Sequence, residues 1–187
     1  MSSPMSTPPI HAPRQESEIH VRVAREDEYA TVGALTVAGY EADGYLLRPD
    51  GSYDDDYAGW LADTAPRGRG SVLLVAVEGD ELLGTVTWCP PGSPDRQLAV
   101  ADNQGEFRTL SVAPEGRRRG VGRALVADCL ERARAAELTE VLLCSVSVMK
   151  PAHTLYESFG FIRRPELDWF PQPDVHLCAY SLDLVRN

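Results

Sequence analysis

A strand, an amphipathic helix and a second strand follow one another between Glu106 and Ser147, and no other stretch constrains the fold as tightly. Glu106 to Val112 reads as a strand. From Gly120 onward, Val121, Leu125, Val126, Cys129, Leu130 and Ala133 fall on one wide arc, at about 100° per residue. Arg123, Asp128, Glu131 and Arg134 lie opposite, the pattern of a helix packed on a sheet. Glu140 to Ser147 is the second strand. Such a unit requires parallel strands joined by a right-handed crossover. Just upstream, Ser71 to Val77 and Glu81 to Trp88 are joined by Glu78-Gly79-Asp80, a short connection that makes an antiparallel hairpin. The sheet is therefore expected to be mixed, and the fold class α/β.

The rest of the chain supplies cover for that sheet. Ile19 to Ala24 alternates as a half-buried strand, and Tyr29, Val32, Leu35, Thr36 and Tyr40 recur at helical spacing. A short helix is predicted over Asp54 to Ala62, with acids in its first turn. Another is predicted over Pro151 to Phe159, stopped by Gly160, and a last strand over Val175 to Leu184. A polar loop is expected from Pro90 to Gly105. With 187 residues, 43% of them hydrophobic, one domain is expected over 19–187. Residues 1–18, rich in Pro, Ser and Thr, read as a disordered arm.

The link between the first strand of that central unit and its helix carries the clearest chemistry. Pro114-Glu115-Gly116-Arg117-Arg118-Arg119-Gly120-Val121-Gly122-Arg123 ends at a helix N-terminus, where unpaired amides and the helix dipole favour an anion. Gly120 and Gly122 carry no Cβ to hold a phosphate away from those amides. The P-loop is excluded because no Gly-Lys-Ser/Thr follows, and the dinucleotide fingerprint because Leu125 stands where a third small residue belongs. Taken alone, the string equally fits an ordinary helix start with exposed arginines. The chain's net charge of -10 disfavours nucleic acid and anionic membrane as partners, so the arginine island suggests one confined anionic ligand.

Phe107-Arg108-Thr109-Leu110-Ser111-Val112-x-Pro114 followed by Arg117-x-x-Gly120-x-Gly122 resembles the cofactor motif of the GNAT N-acetyltransferases. Ala152-His153-Thr154-Leu155-Tyr156-Glu157-Ser158-Phe159-Gly160-Phe161 is similar to the second signature of that family, and the resemblance covers about residues 19 to 185. It implies the GNAT acyl-coenzyme A N-acyltransferase fold, a mixed, mostly antiparallel sheet whose central parallel strands splay apart and are flanked by helices. It also implies acetyl-coenzyme A (acetyl-CoA) as co-substrate, with no metal. Leu110, Ser111 and Val112 would meet the pantetheine arm and acetyl carbonyl, and Arg117, Arg118, Arg119, Gly120, Val121, Gly122 and Arg123 the pyrophosphate.

By the same resemblance Tyr156 is the expected general acid. A phenol of ordinary pKa about 10 is expected to hand its proton readily to a departing thiolate of about 8.5. Glu106 stands where some members keep a base glutamate, although a solvated strand-end glutamate fits as well. His153 is a second candidate base, or a helix-surface residue. Met149 replaces an asparagine common among relatives, with Ser147 or Lys150 as substitutes for its hydrogen bond. The reaction implied is acetyl transfer to a primary amine of a small molecule or peptide, directly and within a ternary complex. The alternative is a non-catalytic acyl-CoA-binding or sensor module.

Cys89, Cys129, Cys144 and Cys178 lie far apart, with no CxxC pair and no His at metal-ligand spacing, which points to reduced thiols in a cytoplasmic protein. Cys144 is the one thiol on a strand facing the cofactor. The longest apolar run, Val72 to Val77, is far short of the ~20 residues of a membrane span. Seven acids (Glu41, Asp43, Asp50, Asp54, Asp55, Asp56, Asp63) against Arg48 suggest either a cleft wall that draws in a cationic amine or an exposed acidic face. Tyr40, Tyr45, Tyr53 and Trp60 either shape an acceptor pocket or simply pack. A homodimer is left open.

Overall fold

A computed structural model describes residues 18–185, so the expected arm lies outside the described residues apart from Glu18. The described chain runs β1 (His20–Val23), α1 (Tyr29–Ala42), α2 (Asp55–Ala62), α3 (Ala65–Gly70), β2 (Val72–Glu78), β3 (Glu81–Cys89) and β4 (Gln104–Val112). It continues with α4 (Val121–Ala135), β5 (Glu140–Val146), α5 (Lys150–Ser158), β6 (Ile162–Arg163), β7 (Trp169–Gln172) and β8 (Val175–Asp183). One sheet follows the order β1-β2-β3-β4-β5-β8-β6, with β7 on β8. Among the described strands only β4 and β5 run parallel. The mixed α/β architecture expected from the sequence is the one found.

Both faces of the sheet are covered, which explains the unbroken apolar run in β2. Leu74 and Ala76 pack with Val121, Leu125, Val126 and Cys129 of α4. Alternate residues Leu73, Val75 and Val77 pack with Val32 of α1. A strand buried on both faces needs apolar side chains at every position.

Three elements were not legible. Helix α3, of sequence APRGRG, has the composition of a loop. It is held by tertiary bonds: buried Arg67 donates to the carbonyls of Trp60 (2.9 Å) and Leu61 (2.8 Å) at the end of α2. Thr64 Oγ1 donates to the Tyr29 carbonyl at 2.6 Å. A cation at a helix C-terminus closes free carbonyls and complements the dipole, so Arg67 ties α2 and α3 together. The short strands β6 and β7 pair only with β8, and β7 contains Pro171, as an edge strand can. The loop after β3 is also shorter than expected, because β4 already begins at Gln104.

Candidate active site

Two departures from regular pairing open the site. The β4–β5 ladder runs Gln104↔Glu140, Gly105↔Val141 and Glu106↔Leu142, then stops. Beyond it β5 stays paired with β8 as far as Val146↔Leu177. The two parallel strands therefore part after Glu106 and leave peptide groups of both facing a gap. On its other edge β4 carries a bulge: the register to β3 shifts between Thr85 and Thr87, and Thr109 has φ 53°. A bulge re-aims the groups beside it. Here it lies in the middle of the gap, next to Leu110. The sequence reading missed Thr109, and a threonine at positive φ leaves no sequence signal.

A cleft of about 1000 Å³ fills the gap, lined by 107–112 of β4, by 144–149 after it, and by parts of α1, α2 and the loop joining them. At one end stands the start of α4. Gly120 is its N-cap, at φ 85°, and has no side chain to cap the helix. The first-turn amides of Val121, Gly122 and Arg123 therefore lack an intrahelical acceptor. Gly122 and Arg117 line the cleft. The Val121 side chain is buried in the core, so only its backbone can serve a ligand.

The arginine island is largely occupied by the protein itself. Arg117 pairs with Asp43 (2.9 Å) and donates to the Gly39 carbonyl (3.2 Å). Arg119 pairs with Glu78, and Arg123 donates to Ser158 Oγ (2.9 Å) over the Phe159 ring. Arg118 is exposed. Ser111 turns its hydroxyl toward the Thr36 carbonyl of α1 (3.2 Å), where a Cβ at Gly39 would overlap it. Leu110 and Val112 line the cleft.

Tyr156 reaches the same cleft from α5. It is no surface phenol. Phe107, Phe161 and Tyr180 surround its ring at 5.8, 6.3 and 6.1 Å, and it is 5% exposed. Burial, with a smaller contribution from Cys144, raises its pKa well above the ordinary value. A phenol is already a weaker acid than a thiol, so full proton transfer to a thiolate runs uphill, and burial steepens it. This corrects the expected ease of transfer. What burial secures is a hydroxyl that stays protonated and can donate a hydrogen bond.

Glu106 is not a solvated strand end either. It is fully buried, and its Oε2 accepts from the amides of Gln97 (2.9 Å), Leu98 (2.7 Å) and Ala99 (3.0 Å). Its Oε1 is buried with no hydrogen bond among the described residues, 3.9 Å from Arg108 Nε. The carboxylate lies at the last paired position of β4, where the strands part.

Residues 20–161 match the acetyltransferase (GNAT) family. The chain belongs to that family. Over 101 residues it is 38% identical to N-acetyltransferase 8 of Rattus norvegicus; the match covers 52% of this chain and 42% of the relative, less than half of that protein's length. In fold it is similar to an acetyltransferase of the GNAT family from Staphylococcus aureus Mu50, with TM-score 0.67 and 14% identity over 89% of this chain and 99% of the other. It is also similar to yncA from Salmonella typhimurium, whose structure contains its cofactor acetyl-CoA (TM-score 0.59, 17% identity, 89% and 94% covered). Acetyl-CoA is the co-substrate typical of GNAT enzymes. The unpaired edges of β4 and β5 and the free amides of α4 suit its amide-rich arm and its pyrophosphate.

Against this GNAT frame the remaining candidates separate. Met149 is buried at the cleft, where its sulfur accepts from Ser145 Oγ at 3.6 Å. Ser147 lines the cleft, while Lys150 lines a second, smaller cavity, so of the two substitutes only Ser147 is placed to donate there. His153 also faces that second cavity and not the cleft; it is buried, and burial lowers its pKa. Cys144 lines the cleft, but burial, reinforced by Glu106, pushes its thiol up to about 11.

Asp168, His176 and Cys178 bring possible ligand atoms within 4.8 Å of one another, a grouping that sequence spacing concealed. Arg163 holds both Asp168 oxygens (2.8 Å each), so this carboxylate already has a cation. No helix among the described residues is long and apolar enough to cross a membrane.

Of the seven acids that suggested an acidic wall, Glu41, Asp50, Asp55, Asp56 and Asp63 are exposed and do not line the cleft. Asp43 and Asp54 do, each held by an arginine, Arg117 and Arg48, at 2.9 Å. Asp54 also caps α2 through the Tyr57 amide (3.0 Å). Tyr40, Tyr45 and Trp60 line the cleft together with Tyr57, whereas Tyr53 packs behind it.

Proposed function

We propose that this chain transfers the acetyl group of acetyl-CoA to a primary amine by direct attack within a ternary complex. The parting of β4 and β5 at Glu106, with the Thr109 bulge, the free amides of α4 and Tyr156 all on one cleft, carries this reading. Acetyl-CoA supplies a thioester carbonyl. Backbone groups beside the bulge, at Leu110 and Val112, hold the pantetheine arm and the carbonyl, and an amide aimed at the oxygen stabilises the charge that develops there. Amides of Arg117 to Gly122 hold the pyrophosphate.

The amine must be neutral to attack, because an alkylammonium is only about 0.1% neutral at pH 7. Glu106 does not line the cleft, so it takes this proton through a water at Oε1. As the N–C bond forms and the C–S bond breaks, the attacking nitrogen releases its surplus proton to water, and the Tyr156 hydroxyl donates a hydrogen bond to the departing thiolate. Cys144 supports direct transfer. With a thiol near 11, only about one molecule in ten thousand is thiolate at pH 7, too few to favour an acyl-enzyme.

A thiol-release assay with acetyl-CoA and a panel of amines, amino acids, polyamines and peptides tests the reading, and release with at least one acceptor is expected. Stabilisation by acetyl-CoA of about 2.7 kcal/mol at 100-fold excess over Kd, without release from any acceptor, would instead favour the sensor reading.

A further inference from the structure

We propose that the acceptor is an amino carboxylate, an α-amino acid or a derivative that keeps its free carboxylate, held by Arg108 beside the Trp60 ring. This rests on the acetyl-transfer reading and names its substrate class.

Arg108 lies on β4 immediately before the bulge at Thr109 and lines the cleft, its side chain 18% exposed. One edge of its guanidinium is fixed: Nη1 donates to the Asp95 carbonyl at 2.7 Å. Asp95 is in turn held by the Ser71 hydroxyl. The nearest carboxylate, Glu106, approaches Nε only to 3.9 Å, and its other oxygen is taken by the three loop amides. No bidentate pair closes this arginine, and Nη2 bonds nothing among the described residues. A partly buried, oriented guanidinium with a free edge is a receptor for a planar anion.

The other charges of the cleft agree. Arg48 and Arg117 are matched by Asp54 and Asp43 at 2.9 Å, which leaves Arg108 as the cation of the lining whose nearest carboxylate lies beyond hydrogen-bond distance, at 3.9 Å. Asp174, exposed at the rim, is the remaining acid of the lining. A polyamine or aminoglycoside would have to place one of its ammonium groups near Arg108, an unfavourable like-charge contact in a half-buried site. An α-amino acid places its carboxylate one carbon from the nitrogen that attacks, and Arg108 lies two positions before Leu110, where the acetyl carbonyl is held. Trp60 stacks on Tyr57 (centroids 5.9 Å, planes 11° apart), and the Arg108 guanidinium lies 6.0 Å from its ring. The aromatic surface beside the anion receptor suits the apolar part of such an acceptor.

Matched acceptors test this: L-phenylalanine, L-phenylalaninamide and phenethylamine, with spermidine as the polycation, assayed by thiol release. The acid is expected to exceed the amide in kcat/KM by at least tenfold, about the least that a charge-assisted bidentate contact gives. Arg108→Gln should collapse that ratio toward one through KM for the acid, and Arg108→Lys should restore part of it. Stabilisation by acetyl-CoA confirms that each variant is folded. Faster turnover of the amide, the amine or spermidine, or an acid-to-amide ratio that Arg108→Gln leaves unchanged, would overturn the proposal while leaving acetyl transfer intact. Release from no acceptor would sink both.

Discussion

The donor half of the cleft and the acceptor half are built on different principles. The donor half comes mainly from one stretch, β4 through the start of α4, and works mainly through backbone (unpaired strand edges, a bulge and helix amides), with the Tyr156 side chain added from α5. The acceptor half gathers α1, α2, the loop before β4 and β7, with Arg108 of β4, from residues 40 to 174, and works through side chains. Backbone recognition leaves a sequence signature because it demands glycines and a strand-to-helix junction at set spacing. Side-chain recognition of this kind leaves almost none.

The largest expected effect probes the donor half. Tyr156→Phe removes the hydrogen bond to the leaving sulfur and should lower kcat by about 10²-fold or more, with stabilisation by acetyl-CoA retained. An unchanged kcat would remove Tyr156 from the chemistry. Gly120→Val comes next. A Cβ at Gly120 meets nothing of the protein within 4 Å, so the added bulk points into the space beside the amides, at a φ of 85° that a branched residue resists. Acetyl-CoA stabilisation should vanish. In Gly122→Val the damage should fall on packing, since a Cβ there meets Leu155 at 3.2 Å. If the two variants bind acetyl-CoA equally, the arginine charges matter more than the amides.

What was legible follows the same division. The βαβ unit, the hairpin and the order of the longer elements were readable because strands covered on both faces and a one-faced helix have distinct apolar patterns. Gly120 and Gly122 stood out by their place at a helix start, and Tyr156 only by the family resemblance. The parting of the strands came only from family resemblance, and the bulge at Thr109 from neither source. The acidic stretch between Glu41 and Asp63 left two readings open, since composition counts charges without showing that most of these acids are exposed and that Arg48 and Arg117 pair with the two that reach the cleft. Arg67 and α3 were invisible because their stability is tertiary.

Glu106 joins the halves, and Glu106→Gln sharpens its role. The substitution weakens three charge-assisted bonds to the 97–99 loop and should cost about 1.5–3 kcal/mol of stability. If Glu106 also takes the amine's proton, kcat should fall while stabilisation by acetyl-CoA is retained. A lower Tm with an unchanged kcat would make it an anchor of the loop alone.

The smallest effect concerns how α1 is fixed. Glu28, 5% exposed just before α1, accepts from Arg22 at 2.7 and 2.8 Å and from the Arg25 amide at 2.8 Å. The Arg22 hydrogen bonds hold its pKa at about 2, below the ordinary 4.5. A carboxyl with a depressed folded pKa stabilises above its unfolded value, and that contribution drains away as pH falls from about 4.5 toward 2. Glu28→Gln should therefore lower Tm at pH 7 and flatten the Tm–pH slope in that window. Because α1 walls the acceptor half, KM for the acceptor should rise before acetyl-CoA binding weakens. Both rising together would show that the two halves share one rigid support.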